Sequence, residues 1–396
     1  MSGKKKLLIV NNNLDMGGIQ RALINLLLEL DRRNLYEVDL FLFSRSGQYA
    51  DFIPDSIRTM EGNKRVRILG VSQEDSRRIG WWAYWIRGIA AVYSKIFDRR
   101  IPTQRILSSQ AMLKGYDVAI SYMHDPDDHT LYGGCNWFVL NRVEADRKIT
   151  FVHCDFKNFE GNTPLNRNLY KEFDSIAVVS HGCMDSFVEV NPDLADRVAV
   201  VYNCQEYSAI REMAQRNPII YEEEYIHVVT VCRISHEKGI MRMIPVMEKL
   251  AAEGEKIKWH IIGTGPLELE LTKRIRERRL ENTILIHGYQ PNPYRFIKNA
   301  DLLLVPSCHE AAPMVFEEGK GLGIPILTTE TTSAMELVGD EKAGWVCENS
   351  EEGIYRGLKH ILEHRPEIEA VKKCLGSQKL DNERPMEQFQ RIIQRS

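Results

Sequence analysis

The sequence has no Gly-x-Gly-x-x-Gly, so the fingerprint of a nicotinamide-dependent oxidoreductase is absent. No apolar run is long enough to cross a bilayer, and Met1-Ser-Gly-Lys-Lys-Lys6 lacks the apolar centre of a signal peptide. A cytoplasmic protein is expected, at most peripheral on the inner face of the plasma membrane. The eight cysteines, at positions 135, 154, 183, 204, 232, 308, 347 and 374, form no Cys-x-x-Cys and no metal-ligand spacing. They read as reduced thiols, several of them inside apolar runs. Neither charge is in large excess: the formal net charge is -3, which argues against nucleic acid as a partner. Repeats and low-complexity segments are lacking, and 43% hydrophobic with 27% charged residues excludes a disordered chain.

At 396 residues the chain exceeds one ordinary core, and two domains of about 180 to 200 residues are expected. Short apolar strands alternate with amphipathic helices, the pattern of parallel, doubly wound α/β sheets. In the first half, strands are expected at 6–11, 37–43, 65–69, 117–121, 149–153, 175–179 and 198–202. A polar stretch over 204–224 breaks that rhythm and reads as the linker. A second series follows at 227–232, 258–262, 283–287, 301–306 and 324–328, with a helix expected from Lys238.

Four stretches carry candidate chemistry. Thr230-Val-Cys-Arg-Ile-Ser-His-Glu-Lys-Gly239 puts Arg233 at a strand end and Lys238 with Gly239 at the head of the next helix. Two cations there suit a diphosphate, Arg233 as a planar fork and Lys238 as a point charge; the plain alternative is a pair of solvated loop cations. Ile261-Ile-Gly-Thr-Gly-Pro266 sets Gly263 in a turn where backbone passes close to the same ligand, or simply turns. From Ser307 to Thr329, Glu310 lies on a loop after a strand and Glu318 one turn into the following helix, in a Glu-x7-Glu pattern. Carboxylates at the carboxyl end of a parallel sheet can grip the hydroxyls of a sugar or ribose; otherwise they are solvated glutamates beside a capped helix. Near the N-terminus, Gly17-Gly18 opens a helix, either exposing its N–H groups to an anion or making a tight turn.

In order and spacing, Gly17-Gly-Ile-Gln-Arg-Ala-Leu23, Cys232 to Gly239, Ile261 to Pro266, Ala300-Asp-Leu-Leu-Leu-Val-Pro-Ser307 and the Glu-x7-Glu before Gly321-Leu-Gly-Ile-Pro325 resemble the group 1 (family 4) glycosyltransferases, notably those of capsule and lipopolysaccharide assembly. The likeness is strong over 226–330 and fainter before it. It implies the α/β GT-B fold, two Rossmann-like domains facing across a cleft. Residues 1–210 would be the acceptor domain, 220–375 the donor domain, and 376–396 a helix returning to the first. It implies retaining hexosyl transfer from a UDP- or GDP-sugar to a glycan or lipid-linked acceptor in surface polysaccharide biosynthesis.

By the same resemblance, Arg233 and Lys238 would hold the donor diphosphate, and the N–H groups of Met314 and Val315 would complete its cradle. Glu318 would bind the ribose and Glu310 the transferred sugar. Gly17 and Gly18 would pass close to the donor phosphates and the acceptor. His153 would face the sugar, unless it is a structural group. With the leaving charge met by these cations, no metal is expected, and Asp125-Pro-Asp-Asp128 reads as a loop and capping cluster. Ala311 stands where the family usually has Gly, and Glu317 adjoins Glu318. A nucleotide-sugar epimerase and a non-catalytic partner subunit are the competing readings. The first is not expected to carry both motifs, and the second is not expected to keep Arg233, Lys238 and Glu318.

Two helical stretches remain. Residues 77–100 hold three of the six tryptophans, with Trp82, Trp85, Ile89, Tyr93 and Ile96 on one face and basic residues elsewhere. The face suits either an anionic membrane or a core. At the C-terminus, Met386, Phe389 and Ile393 form a stripe that must be buried, and the first domain is the expected partner.

Overall fold

The computed structural model describes residues 3–395; Met1 and Ser2 of the N-terminal reading, and Ser396, lie outside the described residues. The chain divides into two compact units, one running to Cys204 and resuming at Asn382, the other spanning Gln205–Asp381.

The first unit is built on β1 (Lys6–Asn11), β2 (Glu37–Leu42), β3 (Arg58–Glu61), β4 (Leu113–Ser121), β5 (Val143–Val152), β6 (Ser175–Val178) and β7 (Val198–Val200). All pair in parallel, in the order β3-β2-β1-β4-β5-β6-β7. Ile9 of the central strand lies opposite Leu40 on one side and Ile120 on the other. Leu7 to Val10 are fully buried because helices cover both faces of the sheet, which is why the strand is apolar throughout rather than alternating. The helix α1 (Gly18–Arg33) follows β1 and ends on Asn34 in the left-handed conformation, with Arg32 and Arg33 in its last turn.

The run Arg65 to Leu69 is not a strand. Asn63 accepts hydrogen bonds on Oδ1 from the backbone N–H groups of Arg65 and Val66, at 2.9 and 3.1 Å, and so nucleates a 3-10 turn over Val66–Gly70. Its apolar residues Val66, Ile68 and Leu69 are still fully buried. The edge strand is β3, which the sequence pattern did not mark. The helix α2 (Trp81–Ile96) turns Ala83, Ala90 and Ser94 inward and leaves its large apolar residues in solvent, so the core-packed reading of 77–100 is overturned.

The second unit begins earlier than the expected linker allows. Within 204–224 lies an amphipathic helix, α3 (Tyr207–Gln215), which buries Ile210 and Ala214. The sheet comprises β8 (Ile226–Val231), β9 (Ile257–Ile262), β10 (Ile284–Ile286), β11 (Leu302–Val305), β12 (Ile326–Thr329) and β13 (Gly344–Cys347), in the order β10-β9-β8-β11-β12-β13. These strands too are all parallel. The helix after β8 starts at Met243 (α4, Met243–Ala252), not at Lys238, which closes a short 3-10 turn. After β11 comes α5 (Met314–Leu322), against which α3 packs.

The last helix, α6 (Glu383–Gln394), belongs to the first unit. Met386, Phe389, Ile392 and Ile393 are at most 1% exposed and sit in one core with Leu7, Ile9, Leu23 and Leu27. Each such side chain contributes roughly 1.5–3 kcal/mol by burial. At its start Glu383 pairs with Arg33 of α1 at 2.8 Å.

Candidate functional site

In the second sheet the chain leaves β8 toward β9 and leaves β11 toward β12, on opposite sides. The carboxyl ends of β8 and β11 therefore flank a crevice, the place where open parallel sheets bind ligands. The loop after β8 carries Arg233 and Lys238; the loop after β11 carries Ser307 and Glu310.

Backbone contacts lock the two loops together. Gly239 has φ +65°, and a Cβ there would lie 1.9 Å from the Pro306 carbonyl oxygen, so only glycine fits. The Cys308 N–H donates to the Glu237 carbonyl at 2.8 Å. From below, Arg242 donates through Nη2 to the carbonyls of Pro306 (2.7 Å) and Ser307 (2.9 Å), and through Nη1 to Asn349 Oδ1 (2.7 Å). The Thr329 hydroxyl adds a bond to the Ser307 carbonyl at 2.5 Å.

This frame brings Lys238 Nζ to 2.6 Å from Glu310 Oε1, the oxygen that also accepts from the Ser307 hydroxyl at 2.7 Å. Burial alone would lower the Lys238 pKa, but the charge and hydrogen bond of Glu310 outweigh it and raise it, so the ammonium form is fixed. Nearby, burial pushes the Cys232 thiol up to about 12, which leaves it a neutral, unreactive group. Arg233 is exposed at the end of β8 and forms no salt bridge among the described residues.

The helix α5 begins at Met314 behind Pro313, with no side chain capping it. The first-turn N–H groups, those of Met314 and Val315 among them, have no intrahelical acceptor, and they carry the positive end of the helix dipole. One turn in, the neighbouring acids diverge. Glu318 is 9% exposed and accepts from the Tyr294 hydroxyl at 3.1 Å. Glu317 instead accepts from the Tyr207 hydroxyl of α3 at 2.6 Å and pairs with Lys320, a buried cation also held by Glu341 at 2.6 Å. Glu317 is thus committed to packing α3 on α5. Gly263, with φ +137°, is demanded by the fold itself, since a Cβ would meet the Cys232 carbonyl oxygen at 1.9 Å.

The remaining predicted residues lie in the first unit. Gly17 caps α1 in an extended conformation (φ -174°) and Gly18 begins the helix, so the pair is not a left-handed tight turn. A Cβ on Gly18 would meet nothing within 4 Å. His153 follows β5 and packs on Tyr122 and Phe151. Its backbone N–H donates to His124 Nδ1 at 3.3 Å, and its Nε2 is buried with no hydrogen-bond partner among the described residues. Burial, helped by His124, lowers its pKa to about 3, so the ring is neutral. The acidic run 125–128 organises a loop: Asp125 accepts from the Gly134 N–H at 2.6 Å and pairs with Arg99 at 3.4 Å, and Asp128 holds Thr163.

Sequence reasoning missed Arg242, Asn349, Tyr294 and Lys320. Arg242 stands four positions after Lys238, but nothing in a single sequence separates it from a solvated cation. Its role appears only when β11 lies beside β8.

Residues 212–374 match the family model of the glycosyl transferases group 1. The second unit is a group 1 glycosyltransferase domain. Among named relatives, the chain is 27% identical over 255 residues to the N-acetylgalactosamine-N,N'-diacetylbacillosaminyl-diphospho-undecaprenol 4-alpha-N-acetylgalactosaminyltransferase of Campylobacter jejuni, covering 63% of this chain and 68% of that one. It is 30% identical over 129 residues to a Salmonella typhimurium relative named for colanic acid biosynthesis, but covers 31% of this chain and only 32% of the relative. The chain thus spans about a third of such relatives. Two solved structures match it nearly end to end. Anabaena Alr3699/HepE in complex with UDP-glucose has TM-score 0.65 at 14% identity over 98% of both chains, and WaaG, involved in lipopolysaccharide biosynthesis, has 0.61 at 16% over 98% and 100%. These likenesses establish the GT-B fold.

Proposed function

We propose that this protein is a nucleotide-sugar-dependent glycosyltransferase of surface polysaccharide biosynthesis, acting with retention at the anomeric carbon and without a metal. The observation that carries it is the Lys238–Glu310–Ser307 cluster at the switch point of a group 1 domain, beside the uncapped start of α5. A departing nucleoside diphosphate would meet Arg233, Lys238 and the Met314 and Val315 amides, a preorganised set of positive groups. Glu318, held by Tyr294, is the candidate for the ribose, and Glu310 for the hydroxyls of the transferred sugar. The roles that resemblance implies for Gly17, Gly18 and His153 enter the proposal unchanged. Support for the donor comes from HepE, solved with UDP and with UDP-glucose, and support for a lipid-linked acceptor from the diphospho-undecaprenol named in the Campylobacter relative.

Incubating purified protein with a panel of UDP- and GDP-sugars tests this reading. Slow release of UDP or GDP from at least one donor, lost in Lys238→Ala, is expected. No release and no donor binding across the panel would overturn it.

A further inference from the structure

An amphipathic helix on a soluble protein puts large apolar residues inward; α2 does the reverse. Its inner face is Ala83, Ala90 and Ser94, with Arg87 donating to the Val71 carbonyl at 3.0 Å. Its outer face is a single stripe in which Trp81, Trp85, Ile89 and Ile96 are 64–69% exposed, continued by Phe97 at 62%. So large an exposed apolar patch marks an interaction site.

Charge identifies the occupant. Residues 77–105 hold seven Lys and Arg against one acid, Asp98, in a chain whose net charge is -3. Arg77, Arg78, Lys95, Arg100 and Arg105, in and beside this segment of the chain, are exposed. Of the acids near them, Asp98 lies 3.7 Å from Arg100 and Asp75 3.3 Å from Arg78, and Glu74 is exposed. A symmetric contact with a second copy would press this cationic rim against itself. A sheet of anionic headgroups over an apolar interior satisfies both rim and stripe, and tryptophan favours that boundary. Among the described residues no helix is long and apolar enough to span a membrane, so the contact lies in the interface. We propose that α2 and the turn through Phe97 seat this protein on an anionic lipid surface, aromatic side chains inserted and arginines at the headgroups.

The test needs neither donor nor acceptor, so its failure is separate from failure of the sugar-transfer reading. The full-length protein is sedimented with vesicles of phosphatidylcholine, alone or mixed with phosphatidylglycerol. Binding is expected only to the mixed vesicles, weakening with salt, with tryptophan fluorescence quenched by brominated acyl chains. Trp85→Ser/Ile89→Ser and Arg78→Glu/Arg105→Glu should each weaken partitioning about tenfold or more. Circular dichroism and thermal unfolding report that both variants stay folded. Absence of binding, equal binding by wild type and both variants, or a dimer that Trp85→Ser/Ile89→Ser dissociates without any vesicle binding would overturn the proposal.

Discussion

Replacing Lys238 by Ala removes the cation that faces Glu310 at 2.6 Å. The side chains of Lys238 and Glu310 are 27% and 11% exposed, so water replaces the ammonium group only in part. One preorganised charge acting on the leaving diphosphate is worth about 2–4 kcal/mol in the transition state, or roughly 30- to 1000-fold in kcat/KM for the donor. The upper part of that range is expected, because the variant also leaves the Glu310 carboxylate without its cation, with the Ser307 hydroxyl as its remaining hydrogen-bond donor among the described residues. Steady-state transfer or donor hydrolysis measures the loss, with thermal unfolding as a check on the fold. The double variant Lys238→Ala/Glu310→Gln decides the cause. If Lys238 acts on the diphosphate, neutralising Glu310 recovers only a minor part of the loss. The reasoning is refuted if Lys238→Ala stays within about threefold of wild type, or if adding Glu310→Gln restores full activity. The second result would make Lys238 a counter-ion for Glu310 alone.

Three further outcomes are expected. Transfer should persist in excess EDTA, since Arg233, Lys238 and the α5 amides are assigned the leaving charge; loss that Mg²⁺ or Mn²⁺ reverses would contradict this. Phe389→Ala, which empties a fully buried site against the edge of the Tyr36 ring, should cost about 3–5 kcal/mol in urea unfolding of the first unit; a cost below about 1 kcal/mol would show that α6 is not part of that core. Burial holds His153 and His260 down to about 3, whereas unfolded imidazoles titrate near 6.5 and take up protons first. Their contribution is therefore complete above about pH 6.5 and lost as pH falls toward 3, at roughly 1 kcal/mol per pH unit for each group, so equal unfolding midpoints at neutral pH and near pH 5 would refute it.

The sequence made the two sheets readable because strands covered on both faces are continuous apolar runs; Ile226–Val231 and Leu302–Val305 lie within a residue of the spans read from pattern. It misled where a side chain redirected the backbone, as Asn63 does ahead of Val66–Gly70, and where a short helix hid in polar sequence, as α3 does. Lys238 and Glu310 were legible as residues of the right chemistry at strand ends, but the bond between them was not, because 72 residues separate them. The orientation of α2 was equally hidden: a stripe of tryptophan and isoleucine has the same period whether it faces the core or water. Only the small residues opposite, Ala83, Ala90 and Ser94, mark which side is inside.

The second unit is one unbroken segment, Gln205–Asp381, whereas the first is resumed by the chain at Asn382, after the second is complete. The apolar residues of α6 fill a core otherwise drawn from α1, β1 and their neighbours. During synthesis that core therefore lacks Met386, Phe389, Ile392 and Ile393 until α6 has left the ribosome. This order of synthesis runs against the usual N-terminal-first completion of multidomain chains. All of Gln205–Asp381 is synthesised while the first unit still lacks part of its core, so a chain ending at Asp381 would carry the whole second unit beside a first unit without α6.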